Sequence, residues 1–181
     1  MAMKMLDAGG FPVMTDGVRA ADASNPNGYY EFEQVKRLSA GGDTAWLAAA
    51  RGRAVKVISF LLTQLPDTYD YRVIFMRRDL DEILASQNAM LDERGEPRGA
   101  DDDRMRVHYQ AHLEQVERFL ARRSCFSTLM ANYADILASP REQAQRFSTF
   151  LGGTLDIERM TDVVQPALYR QRRASDERVT S

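Results

Sequence analysis

The sequence predicts an α/β fold in which buried strands alternate with amphipathic helices. Three short apolar runs carry the first half of that reading: Ala54-Val55-Lys56-Val57-Ile58, Arg72-Val73-Ile74-Phe75-Met76 and Phe126-Ser127-Thr128-Leu129-Met130. The first two are near-continuous and rich in β-branched residues, which suits strands covered on both faces, as in a parallel sheet. The segments between them repeat apolar residues at helical spacing. Strands alternating with helices imply layers joined by right-handed crossovers.

Taken in chain order, a very short strand is expected at Phe11 to Met14, after the Gly9-Gly10 break. After the second strand, Leu80, Ile83, Leu84, Gln87, Met90 and Leu91 fall on one helical stripe. Asp79 with Glu82 forms a capping box at its front, and Gly95 with Pro97 ends it. A longer helix follows, with Met105, Tyr109, His112, Val116 and Phe119 on one face. Ser139-Pro140 then opens a helix running through Phe147 and Leu151, closed by Gly152-Gly153. The chain carries no internal repeat and no low-complexity segment.

With 181 residues, 44% hydrophobic and 28% charged, the chain has the composition of one globular domain with a real core. A formal charge of −2 argues against general nucleic-acid binding. No apolar run approaches the roughly 20 residues of a membrane helix. The start meets Asp7 before any apolar stretch develops, unlike a secretory signal. Cys125 is the single cysteine, which excludes an internal disulfide and a cysteine metal cluster and leads us to expect a cytoplasmic setting. Asp101 to Asp103 form an acidic run, and Arg170, Arg172, Arg173 and Arg178 a basic tail; both read first as solvated charge.

Ligands of open α/β sheets sit beyond the carboxyl ends of the strands. The junction to inspect is Ile74-Phe75-Met76-Arg77-Arg78-Asp79, where a strand runs directly into a helix. The unpaired N–H groups of a helix start attract anions, and an Arg beside them adds a bidentate fork. Ser86, eight positions on, falls at the flank of the apolar stripe and within reach of the same groove as Arg78. The competing reading is that Asp79, Asp81 and Glu82 already neutralise this helix start and pair with Arg78.

Arg78-Asp79-Leu80-Asp81-Glu82-Ile83-Leu84-Ala85-Ser86, directly after a hydrophobic strand, resembles the 3′-phosphate motif of sulfotransferases that use 3′-phosphoadenosine 5′-phosphosulfate. Asn25-Pro26-Asn27-Gly28-Tyr29-Tyr30-Glu31-Phe32-Glu33 is similar to a segment of the bacterial members. So are Ala54 to Ser59 with Leu65-Pro66, and Met130-Ala131-Asn132-Tyr133 to Pro140 with Phe150-Leu151-Gly152. The resemblance implies a three-layer parallel sheet of the P-loop nucleotide hydrolase type over residues 1–173, with 174–181 as a flexible tail. It also implies sulfuryl transfer from that nucleotide to a small hydroxyl or amine acceptor, without a metal. Arg78 and Ser86 inherit the 3′-phosphate, and Tyr133 the adenine.

Two features depart from the family. Its first strand and the Gly/Ser/Thr-rich loop that wraps the 5′-phosphosulfate are missing, and Met1 to Gly10 resembles the helix after that loop. Gly9-Gly10, Gly41-Gly42 and Gly152-Gly153 all lack the strand-before, helix-after setting of a substitute. Met1, Met3 and Met5 within what reads as a helix are expected of a start placed late. The family's base is a His shortly after the Lys that corresponds to Lys56; Ile58 stands near that place. Removing one oxyanion donor typically costs about 2.7–4 kcal/mol, so without the loop we expect little transfer. A non-catalytic nucleotide-binding or interaction role, and phosphotransfer of the kinase type, are the alternatives. Arg170, Arg172 and Arg173 are further phosphate candidates.

His108 and His112 have the spacing of a helical metal pair but no intervening Glu and no third ligand, so a packed His112 and a surface His108 are expected. Cys125 reads as an inert, buried thiol. Trp46 and the Tyr29, Tyr30, Phe32 cluster read as core or as an acceptor pocket. Ser-His-Asp hydrolysis has no nucleophile elbow to support it.

Overall fold

The computed structural model describes residues 1–17, 29–83, 95 and 102–164. Within these the chain is mixed α/β, built around a small parallel sheet of two strands, β1 (Tyr71–Arg77) and β2 (Phe126–Asn132). The strands pair in register from Tyr71↔Phe126 to Arg77↔Asn132. Parallel neighbours need a long crossover, and α3 (Asp102–Arg122) lies in it. The other helices are α1 (Ala2–Ala8), α2 (Trp46–Ala49), α4 (Tyr133–Ala138), α5 (Pro140–Leu151) and α6 (Ile157–Asp162). Two 3₁₀ helices span Glu33–Ala40 and Ser59–Gln64.

Strand alternation decides where the core sits. Tyr71, Val73 and Phe75 of β1, with Phe126 and Met130 of β2, face a core completed by Leu38, Leu61, Leu62, Val116 and Leu120. Ile74 and Met76, with Leu129 and Ala131, face a second core of Met5, Ile136, Phe147 and Met160. The period-two pleat thus divides one short sheet between two apolar clusters, with α3 and the 3₁₀ helices on one side and α1 and α4 to α6 on the other. This is why the expected strands read as near-continuous apolar runs: both faces are covered.

The second and third expected strands form, each slightly longer than anticipated. The first does not. Of Ala54 to Ile58, only Ala54 enters a ladder, as an isolated parallel bridge with Val13. Ala54 N–H donates to Pro12 O at 2.8 Å, and Met14 N–H donates to Ala54 O at 2.9 Å. A ladder is a property of a pair, and among the described residues nothing pairs with the far edge of residues 55–58. The Phe11 to Met14 strand shrinks to the same bridge for the same reason.

The helix expected from Leu80 is described for residues 80–83 only, and its remainder, including Leu84, Met90 and Leu91, lies outside the described residues. At its front the Asp79 carboxylate accepts the Asp81 N–H at 2.9 Å. The α5 helix forms as expected, with Pro140 in its first turn and a left-handed close at Gly152 (φ 124) and Gly153 (φ 82).

Gly9 marks where α1 meets α6. A Cβ built there would lie 2.6 Å from Met160 Cγ and 2.9 Å from Sδ, and Met160 is fully buried. We expect Gly9→Ala to cost about 1–3 kcal/mol by overpacking, read as a lower urea midpoint at unchanged slope.

Candidate functional site

Because β1 and β2 end in register at Arg77↔Asn132, the next residues of each strand, Arg78 and Tyr133, leave the sheet side by side. The Arg78 guanidinium carbon lies 5.2 Å from the centre of the Tyr133 ring. Two residues 55 positions apart in sequence are therefore brought together as a cation–π pair at the carboxyl end of the sheet. Burial pushes the Tyr133 hydroxyl up from its ordinary value; the Arg78 charge opposes that shift and Glu82 adds to it. The phenol is neutral at physiological pH.

Arg78 also meets Glu82, with Nε 3.3 Å from Oε2, and both side chains are largely buried. The pairing with the acidic helix start, weighed above as the competing reading, is therefore present. Arg106 of α3 pairs with Asp81 and ties the same helix start to the long helix. A phosphate arriving at Arg78 has to share the guanidinium with Glu82, whose acceptor occupies one edge of the fork.

Ser86, the other half of the motif, lies outside the described residues, as do Asn25 to Gly28 and the candidates Arg170, Arg172 and Arg173. The expected 174–181 tail lies outside them too.

A groove of about 1160 Å³ runs beside the sheet. It is lined by every residue of β1 and by the four consecutive residues Ala54 to Val57. Consecutive residues of an extended segment point to opposite faces, so a groove that touches all of them follows their backbone edges. The edge of β1 away from β2 and the inner edge of residues 55–57 thus face each other across it, with Val55, Val57, Val73 and Phe75 in its walls. Among the described residues neither edge is paired, and unpaired edges recruit other strands. We expect association that grows with concentration, read by light scattering after size exclusion; a monomer with one sharp cooperative melt would contradict this.

The groove is basic. Lys4, Arg51, Arg53, Lys56, Arg72, Arg77 and Arg78 line it, and Asp70 is the one acid in its lining among the described residues. Arg78 opens onto it, whereas Tyr133 is not part of its lining. Lys56 Nζ donates to Tyr29 O at 3.1 Å and lies 3.6 Å from Glu31 Oε1. Arg77 is 3.5 Å from Glu117, and Arg72 donates to Phe150 O at 3.1 Å. The Met1 amino group is pushed below its ordinary value by burial and then by the charges of Lys56 and Lys4. Crowded like charges of this sort favour an anionic ligand.

The aromatic residues divide between the two expected roles. Phe32 and Trp46 meet edge to face at 5.4 Å and pack on the first core. Tyr29, Tyr30 and Trp46 also line the groove, and Tyr30 donates to Asp7 Oδ2 at 2.9 Å. Cys125 is half-buried against the first core and carries a free thiol.

His108 is exposed and His112 half-buried. His112 instead crosses to the 3₁₀ helix Ser59–Gln64, where its Nε2 lies 2.8 Å from Ser59 Oγ. Its ring stacks on Phe60 with centroids 3.7 Å apart and planes 9° from parallel. Burial pushes its pKa below the ordinary histidine value, so the ring is neutral at pH 7. Sequence reasoning missed this contact. No spacing rule links residues 53 positions apart, and the one available signal was a His on the apolar stripe of α3.

No family model, curated protein or solved structure matches the chain.

Proposed function

We propose that this chain is a sulfotransferase-type domain that binds an adenosine nucleotide carrying a 3′-phosphate, 3′-phosphoadenosine 5′-phosphosulfate or its bisphosphate product. In this reading Arg78 and Ser86 hold the 3′-phosphate and Tyr133 flanks the adenine. The observation that carries it is the convergence of Arg78 and Tyr133 at the carboxyl end of a parallel sheet, the position where open α/β sheets bind ligands. The excess of basic over acidic residues in the adjoining groove supports an anionic ligand.

The finer fold, a three-layer sheet of the P-loop type, belongs to the same reading. It is supported by the groove between Ala54–Val57 and β1, since that sheet order has one more strand at this position. Among the described residues no glycine-rich loop joins a strand to a helix, and such a loop would supply most of the N–H donors for a sulfuryl group in flight. We therefore propose nucleotide binding with little or no sulfuryl transfer by residues 1–181.

Calorimetric titration tests the binding half. Adenosine 3′,5′-bisphosphate is expected to bind at least tenfold tighter than adenosine 5′-monophosphate, the margin of one charge-assisted phosphate contact. Equal affinity for the two removes the 3′-phosphate role from Arg78 and favours the phosphotransfer alternative, while no binding of either favours an interaction role.

A further inference from the structure

We propose that Ser59 and His112 form a nucleophile–base pair that takes the acyl group from small activated carboxylic esters. This is independent of the nucleotide reading and uses neither Arg78 nor Tyr133.

Three observations carry it. The first is the 2.8 Å contact between Ser59 Oγ and His112 Nε2, the reach a general base needs to take a hydroxyl proton. In the tautomer with the proton on Nδ1, Nε2 is the acceptor and the Ser59 hydroxyl the donor. The second is the stack on Phe60, an exposed ring that lies 3.7 Å from the imidazole and 9° from parallel to it and so favours that ring plane. The third is access: Ser59 and His112 both line the 1160 Å³ groove, so a small ester reaches the hydroxyl without any movement of the cores.

The chemistry balances within the pair and its substrate. Ser59 Oγ bonds to the acyl carbon as its proton passes to His112 Nε2. The bond from that carbon to the leaving oxygen then breaks, and the leaving oxygen takes the proton from Nε2, giving an acyl-serine and an alcohol or phenol. Water repeats the sequence on the acyl-serine, releases the carboxylic acid and restores the pair.

The test uses the full chain with two probes, 4-nitrophenyl acetate and an alkyl fluorophosphonate, read by intact mass and peptide mapping. A lasting adduct on Ser59 is expected from the fluorophosphonate and a transient acetyl-Ser59, caught by acid quench, from the ester, with no labelling of Ser59→Ala. His112→Gln should slow labelling about 100-fold, the usual worth of a positioned base. That substitution also removes the stack on Phe60, so added imidazole is the second measurement: it should restore part of the rate in His112→Gln by supplying the missing base. Adducts elsewhere, no adduct, an unchanged rate in His112→Gln, or no rescue by imidazole each overturns the proposal.

Discussion

On the proposed nucleotide reading, Arg78→Ala is expected to lower the affinity for adenosine 3′,5′-bisphosphate by about 10- to 100-fold and to leave that for adenosine 5′-monophosphate within about twofold. A hydrogen bond to a charged group contributes about 1.5–3 kcal/mol, and about 1.4 kcal/mol is a factor of ten. The guanidinium is largely buried, with Tyr133 over one face and Glu82 at Nε, so it is already held in one orientation and little ordering remains to oppose binding. Arg78→Lys keeps the charge but loses the planar fork, so its loss should be intermediate. Glu82→Gln points the other way: a neutral amide competes less for the guanidinium, and the bisphosphate should bind more tightly. Titration of the three variants beside the parent checks the series. Unchanged affinity in Arg78→Ala would leave the basic groove as the binding surface and remove the motif from the argument.

The largest effect on stability is expected from Phe147→Ala, a loss of about 3–5 kcal/mol. Phe147 has no exposed surface and packs with Met5, Ile136 and Met160 in the core where α1, α4, α5 and α6 meet the sheet. Truncation removes the transfer free energy of the ring and leaves a cavity that rigid neighbours fill only in part. Domains of ordinary size are stable by about 5–15 kcal/mol, so this one change consumes a large share of the total. Urea unfolding followed by far-UV circular dichroism measures it. A loss below about 1 kcal/mol would mean that the second core closes around the vacancy and is far softer than its burial implies. Phe147→Leu keeps most of the volume and should lose roughly half as much.

Local pattern was enough for several elements. The run Arg72 to Met76 read as a strand covered on both faces, and the two cores account for that composition. Pro140 and Gly152-Gly153 bracketed α5 because one supplies a ready-made φ and the others a left-handed close, both properties of single residues. The ion pair between Arg78 and Glu82 was also readable, since the arginine directly precedes an acidic helix start in the sequence.

Ala54 to Ile58 shows where that logic stops. Its β-branched composition says that it will be extended, and Ile58 is extended at φ −73 and ψ 142. Composition does not say whether an edge finds a partner, and beyond Ala54 none is found among the described residues.

The sequence by itself determined the class of fold, the places where β1, β2 and α5 lie, and the presence of an arginine at a strand end beside an acidic helix start. Each of these follows from short-range chemistry: side-chain period, backbone permissiveness and the polarity of neighbours within one turn. Only the tertiary structure decided that Arg78 lies against Tyr133, that His112 reaches Ser59, and that a basic groove runs along the edge of β1. Those are meetings of residues far apart in the chain. They are set by the register of the parallel strands and by the packing of α3 on the 3₁₀ helix, and no local pattern encodes a register or a packing angle.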